Sequence, residues 1–460
     1  MTPVDTTSLR AELAARLSLL YGAEVPAYTT LVEVSHEVNR RVLERDGAAA
    51  ERLGSIERVT AERHGAIRVG SPEEMAQVAR VFGALGMRPT GFYDLRDAHP
   101  QPIPVVSTAF RPIDRDELAR NPFRIFTSML VPEDRRFFDA DLEQRLKAFI
   151  GARRLFPDEL LELADRAEAG GGLDRPDADR FLDLASGAFA LSPEPVDRAW
   201  YAELARVSGV AADIGGVTTT HINHLTPRVL DIDDLYRSMQ ARGIAMIDRI
   251  QGPPRWEGPD VLLRQTSFRA LDEPRLFRDP DGSVSEGALR VRFGEVEARG
   301  IALTPAGRDL YDAAVVAVDQ RAGADARDRD EVAVEVWRDL MPPTERDLRE
   351  RGLGFFTYRV RDDRPAGAPP GSPAELVDGG WLEPEPIVYE DFLPRSAAGI
   401  FASNLADGGV VADAQGGAER DADWLAERLG RSVSSPEELY RAESAASLEA
   451  AGRRLGVDLP

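Results

Sequence analysis

Apolar spacing makes the first 50 residues helical. SLRAELAARLSLLYG repeats apolar positions at helical spacing, and LVEVSHEVNRRVL places Leu31, Val34, Val38 and Val42 on one stripe. His36 lies off that stripe, on a solvated helix face. From residue 60 the period changes. ERHGAIRVG reads as a short strand ending in Gly70. SPEEMAQVARVFGALG then reads as a helix, with Ser71 as N-cap, Pro72 at the first helical position and Glu74 closing a capping box. Residues 133 to about 210 are helix-patterned and rich in charge, interrupted by a loop at AGGGLDRPD. ALRVRFGEVEARG (288–300) alternates like a strand, a helix opens at Thr304-Pro305, and GFFTYRV (354–360) is a further strand. PAGAPPGSP (365–373) is a loop, and the last 50 residues pattern as acidic helices, read as a surface tail.

One unit of this pattern occurs twice. His64 is followed by three residues, Arg68-Val69, the capping Ser71, an amphipathic helix and a glycine. His224 is followed by three residues, Arg228-Val229, the capping Asp231, the helix LDIDDLYRSMQARG and its glycine. This is an internal strand–helix repeat with His64 and His224 in register. The second copy opens on HINHLTPRV, with two histidines three apart. On a helix both could face one metal, whereas on a strand they point to opposite faces. Three preceding threonines favour strand and Pro227 opposes a helix interior. The repeat selects His224 as the inward residue, leaving His221 to face outward or to support the site from behind.

Charge and composition narrow the chemistry. With 79 acidic against 57 basic residues, the net charge of −22 argues against nucleic-acid or anionic-membrane partners. An anionic substrate must then be held by particular arginines. There is no cysteine, which excludes disulfides, thiolate metal sites and cysteine nucleophiles. No basic segment with an apolar core opens the chain, and no apolar run of about 18 residues offers a membrane span, so a cytoplasmic protein is expected. A Rossmann G-x-G-x-x-G, a G-x-S-x-G elbow and an HExxH motif are all absent.

A metal would therefore be held by histidines and carboxylates. RFGEVEARG supplies candidates for a third ligand, since Glu295 and Glu297 share a strand face with Phe293. Two histidines and one carboxylate form the facial set that leaves open positions on Fe(II), though Zn(II) accepts the same residues. Arg68 and Arg228 each stand four strand residues beyond a histidine, about 13 Å along the chain. An arginine reaching back leaves room for a short diacid gripped at its far carboxylate.

ERHGAIRVG, THINHLTPRVLDIDDLY, LLRQTSF, RFGEVEARGIALTPAGRDLYD and YEDFLPRSAAGIFASNL together resemble the family of 2-oxoadipate dioxygenase/decarboxylase, also called 2-hydroxyglutarate synthase, over residues 10 to 407. The resemblance implies an α+β fold of the vicinal oxygen chelate type, with βαβββ modules forming a curved sheet or half-barrel around a metal and helical insertions. It divides the chain into N-terminal helices (1–55), a first module (56–132), a helical insertion (133–210) and a second module (211–300). Helices and strands completing the site (301–407) and a helical tail (408–460) follow. It implies an Fe(II) enzyme of lysine catabolism that converts 2-oxoadipate and O2 to D-2-hydroxyglutarate and CO2. Its metal ligands fall on His64, His224 and Glu295. Glu295 is preferred to Glu297 because RFGEVEAR is also similar to the glutamate-bearing strand of 4-hydroxyphenylpyruvate dioxygenase. The arginine for the distal carboxylate falls on Arg68, and a substrate-holding segment falls on Arg395 and Ser396. The family carries a small apolar residue where Arg395 stands, so only a backbone contact transfers there. His221, Glu297 and Gln265 are placed behind the ligands. A glyoxalase-like isomerase or lyase on Zn(II) or Ni(II), and a non-catalytic protein sequestering a small acid, are the alternatives. Self-association into a homo-oligomer stays open.

Overall fold

In chain order the strands are β1 (Val4–Asp5), β2 (Arg63–Val69), β3 (Arg88–Asp94), β4 (Val105–Arg111) and β5 (Arg124–Leu130). Then follow β6 (Gly172–Leu173), β7 (Val196–Asp197), β8 (His224–Pro227), β9 (Leu263–Ser267) and β10 (Glu273–Arg278). The last are β11 (Val284–Leu289), β12 (Glu295–Arg299), β13 (Phe356–Val360) and β14 (Leu382–Pro386). With helices on either side of the main sheet, the fold is mixed α+β. This is a computed structural model that describes residues 3–98, 102–290, 292–325, 328–393, 400, 403–404 and 419–459.

Strands β2, β4 and β5 are buried at almost every position, as central strands covered on both faces must be. They belong to a five-stranded sheet of order β3-β4-β5-β2-β8, in which β2 runs parallel to β5 and antiparallel to β8. The pair β12-β9 extends it beyond β8. Arg228 bridges Glu297 in parallel, and the Val229 N–H donates to the Glu297 carbonyl at 2.8 Å. The two copies of the repeat therefore meet along the β2–β8 seam. β5 and β4 flank β2 as β12 and β9 flank β8. Gly65 sits at the seam, where a Cβ would come within 2.7 Å of the Ile125 side chain and 3.0 Å of the Leu225 side chain.

Alternation along the strands sends opposite sets of side chains to the two faces. Ile67, Val69, Val106, Phe110, Ile125 and Met129 pack against helices Thr6–Glu24, Pro26–Asp46, Pro72–Gly83, Asp158–Gly170, Arg175–Ala188 and Ile232–Ala241. Each fully buried aliphatic side chain there contributes about 1.5–3 kcal/mol. The other face carries Ala66, Ala109, Phe126 and Leu130. It is covered by helices Ala140–Ala152 and Gly209–Gly215, together with Phe293 and Phe392. Residues 133–210 thus split between the two faces.

Local chemistry accounts for the helix starts. Ser71 accepts the Glu74 N–H, while the Glu74 carboxylate accepts the Gly70 N–H at 2.6 Å, one residue earlier than the expected capping box. Glu74 is also held by Arg153 at 2.7 and 2.8 Å. Asp231 accepts the Asp234 N–H and caps the equivalent helix.

Three expectations need correcting. The threonines before HINH are not in a strand: β8 begins at His224, and His221 is buried in the segment leading into it. The run 288–300 is two strands, β11 ending at Leu289 and β12 beginning at Glu295, and Gly294 before β12 lets the Phe268 ring approach, since a Cβ there would lie 2.0 Å from it. The C-terminal helix Pro436–Leu455 is no free surface tail. Its Tyr440 is buried, accepts the Glu390 N–H at 2.8 Å and donates to Asp391. Among the described residues, no helix is long and apolar enough to cross a membrane.

Tyr21, on helix Thr6–Glu24, ties together the segments that lead into β8 and β12. Its buried hydroxyl lies 3.1 Å from the Asn223 carbonyl, just before β8, and 2.9 Å from the Phe293 carbonyl, just before β12. Tyr21→Phe keeps the ring and removes the one hydroxyl hydrogen that the two carbonyls share. It should lower the unfolding free energy by about 1–3 kcal/mol, read as a shifted urea midpoint with an unchanged slope.

Candidate metal centre

The β2–β8 register pairs His64 with Thr226 and Ala66 with His224, so the two histidines are diagonal neighbours on one face. Their rings lie 5.3 Å apart at 87°. Glu295 opens β12 and reaches both: its carboxylate oxygens lie 3.7 Å from His64 Nε2 and 3.3 Å from His224 Nε2. One ligand atom from each of His64, His224 and Glu295 falls within 4.8 Å of the others, and all three residues are buried. Ligands about 2.1 Å from one ion stand roughly 3–3.5 Å apart, so this donor set suits a single divalent metal.

The outer nitrogens are held so that Nε2 faces inward on both rings. His224 Nδ1 lies 3.0 Å from Thr226 Oγ1, and His64 Nδ1 lies 2.9 Å from Glu297 Oε2. Gln265, the ladder partner of Glu297, donates to Glu295 at 3.5 Å. Phe392 packs edge-on against His64 at 5.0 Å, and Phe293 stacks on His224 at 5.7 Å.

Behind the ligands, four guanidiniums interleave with three carboxylates. Arg299 grips Glu297 at 2.8 and 3.0 Å. Arg124 and Arg228 hold Glu62 at 2.8 and 3.0 Å. Arg58 and Arg124 hold Glu390. Next along the chain, Asp391 pairs with Arg111 at 2.8 and 3.0 Å. These contacts fix the segment that presents Phe392.

Electrostatics follows from this packing. Burial opposes ionisation of Glu297, yet Arg299, His64 and Arg124 bring its pKa down to about 2. Burial raises that of Glu295. Burial would lower His64, but Glu297 and Glu295 hold it above the ordinary histidine value. Burial, then the neighbouring His64 and Arg68, hold His224 well below that value.

The remaining sequence candidates take these places. Arg68 lies on the His64 face, and its guanidinium pairs with Asp213 of helix Gly209–Gly215. Asp213 also faces His221 Nε2 at 3.2 Å and accepts from Asn223 at 2.8 Å. His221 therefore shares Asp213 with Arg68 and lies apart from the three clustered donors. Arg228 turns to Glu62 instead of the ligands. Arg395 and Ser396 lie outside the described residues. Residues not singled out from the sequence are Thr226, two positions after His224 and so on its face, and Asp213, a lone acid in the apolar run GVAADIGGV. The clamp formed by Glu62, Arg124, Arg299 and Asp391 left no local signal.

The model of the 2-oxoadipate dioxygenase/decarboxylase family matches residues 13–404. A Mycobacterium tuberculosis protein named 2-oxoadipate dioxygenase/decarboxylase is 56% identical over 439 residues, covering 95% of this chain and 97% of that protein. A Pseudomonas putida protein of the same name is 40% identical over 469 residues, covering 99% of this chain and 98% of its own. The crystal structure of the hydroxyglutarate synthase from Pseudomonas putida in complex with 2-oxoadipate matches with a TM-score of 0.86 at 38% identity, covering 99% of each chain.

The raised pKa of His64 has two consequences of opposite sign. A proton on His64 stabilises the metal-free fold fully below the unfolded value of 6.5, and that contribution is lost as pH rises through the higher folded value. A metal needs the neutral ring, so its affinity should increase with pH across the same window, with a proton released from His64. His224 is already neutral there. Competition titrations of Zn(II) or Fe(II) at about pH 6 and about pH 8, in buffers of different ionisation enthalpy, should show tighter binding and proton release at the higher pH. Affinity independent of pH would contradict this.

Proposed function

The chain belongs to the 2-oxoadipate dioxygenase/decarboxylase family, and from that premise we propose that it converts 2-oxoadipate and O2 to D-2-hydroxyglutarate and CO2, as a cytoplasmic step of lysine breakdown. His64, His224 and Glu295 would hold Fe(II). The observation that carries this reading is the convergence of these three buried side chains from both copies of the repeat. The mirrored strand order about the β2–β8 seam supports a vicinal oxygen chelate arrangement, with the sheet curving around the metal.

When bound, Fe(II) supplies open positions for a chelating 2-oxo acid and the electrons that O2 chemistry requires. The protein's own groups do the rest. Glu297 holds the proton of His64 on Nδ1 and keeps Nε2 free as a ligand atom, a support of the kind that orients metal-bound histidines. Thr226 does the same for His224. Phe392 and Phe293 exclude water around the two rings. Arg68, steadied by Asp213, takes the carboxylate distal to the keto group and fixes which carbons lie beside the metal. Ser396, with the backbone of Arg395, is assigned to the same substrate.

Anaerobically loaded Fe(II) protein given 2-oxoadipate should consume one O2 for each CO2 and each 2-hydroxyglutarate formed. An oxygen electrode with product chromatography checks this, and turnover without oxygen uptake would point to an isomerase or lyase. His224→Ala should lose both iron and turnover while its far-UV circular dichroism stays that of the parent. His221→Ala should retain iron and lose activity only in part. The reverse ranking would overturn the ligand assignment.

A further inference from the structure

At the level of Arg68, a row of polar side chains crosses the sheet. Arg68 on β2 pairs with Ser128 on β5, Ser128 with Ser107 on β4, and Ser107 with Tyr93 on β3. Paired residues share a face, and this is the His64 face. Between this row and the ligands, the same strands present Ala66, Phe126 and Ala109, which are apolar. From His64 outward the surface is therefore metal-binding, then apolar, then polar.

Two features show that the row is built. Ser107 donates to Ser128 at 2.9 Å, which leaves the Ser128 hydroxyl hydrogen with no acceptor among the described residues. Both serines are buried. The second feature is a bulge in β3. Thr90 pairs with Ala109 but Tyr93 pairs with Ser107, so three residues on one strand answer two on the other. Gly91, at φ +74°, makes this turn. The bulge brings Tyr93 rather than Phe92 to the Ser107 level, a re-aiming that bulges near functional sites produce. The Tyr93 ring then leans back over Gly91 and packs against Phe126 at 5.4 Å, walling the apolar level.

Arg68 has its charge matched by Asp213. A second carboxylate arriving there gains little from net charge and needs further donors. We infer that Ser128, oriented by Ser107, donates to the carboxylate distal to the keto group and so sets the preference for a diacid over a monoacid. This rests on the reaction proposed above. The apolar level takes the methylenes and the polar level reads the end of the chain.

The test compares 2-oxoadipate with 2-oxohexanoate, which has the same length but lacks the distal carboxylate. In Fe(II)-loaded Ser128→Ala, the ratio of kcat/KM for the two substrates should fall about tenfold, through KM for 2-oxoadipate, with KM for 2-oxohexanoate unchanged. A variant that merely folds less well loses both activities together and leaves the ratio intact. Ser107→Ala, which removes the hydroxyl that orients Ser128, should lower the ratio in the same direction and carries the test should Ser128→Ala be insoluble. Wild-type ratios in the soluble variants, beside normal turnover of 2-oxoadipate by the parent, would overturn this assignment and leave the reaction standing. A parent protein that does not act on 2-oxoadipate would overturn both.

Discussion

The antiparallel pairing of β2 with β8 sets His64 opposite Thr226 and His224 opposite Ala66. Two histidines about 160 residues apart thereby become neighbours on one face. A slip of one residue would send His224 to the helix-packed face, because side chains alternate with a period of two. Several independent contacts hold the register. Gly65 admits the flanking Ile125 and Leu225 side chains, the Asn223 N–H donates to the Ala66 carbonyl at 2.9 Å, and Tyr21 reaches the carbonyls just before β8 and β12. The N-terminal helix is thus part of what aligns the ligands.

The same seam carries a buried charge cluster that is costly unless every member is paired. Glu62, Glu297 and Glu390 each face at least two guanidiniums, and Arg299 also donates to the Tyr389 and Asp391 carbonyls. Truncating one member would leave a charge buried without its partner, so the cluster behaves as one rigid unit. Its outer edge is the C-terminal helix, through Tyr440, and its inner edge is Glu297 on His64. Rigidity is useful there. A ring already seated beside a fixed carboxylate has less freedom to lose when a metal binds.

Much of this was legible because it repeats. His64 and His224 stand in register in the sequence, and the structure places them side by side with Glu295. Strand alternation does not separate the two histidines of HINH, since the threonine run is not strand and His221 is set apart by its neighbour Asp213. What stayed hidden depends on contacts between distant segments. Glu62, Arg124, Arg299 and Glu390 read individually as ordinary charges, and only the fold buries them together. Tyr440 lies in a helix whose acidic pattern suggested a solvated tail, yet one aromatic side chain anchors it. Asp213 carried the faint signal of an acid in an apolar run, meaningful only once Arg68 lies beside it.

Duplication makes two equivalent half-sites, and the chain uses their differences. Continuing the β2–β8 register one step beyond Arg63–Pro227 sets Arg228 against Glu62, and the two are bonded. The mate of Glu62 in the second copy is Ile222, which packs into the helical core, so Arg68 meets no carboxylate across the seam. Its partner comes instead from helix Gly209–Gly215, as Asp213. The flanking strands differ in the same way. Since Arg68 pairs with Ser128 and Arg228 bridges Glu297, Glu295 corresponds to Phe126. One copy therefore supplies a carboxylate ligand where the other supplies an apolar wall. One arginine is taken up by the charge cluster, while its mate stays on the His64 face beside Asp213. A symmetric pair of half-sites would offer two equal ends to the metal, whereas a keto diacid has two different ends.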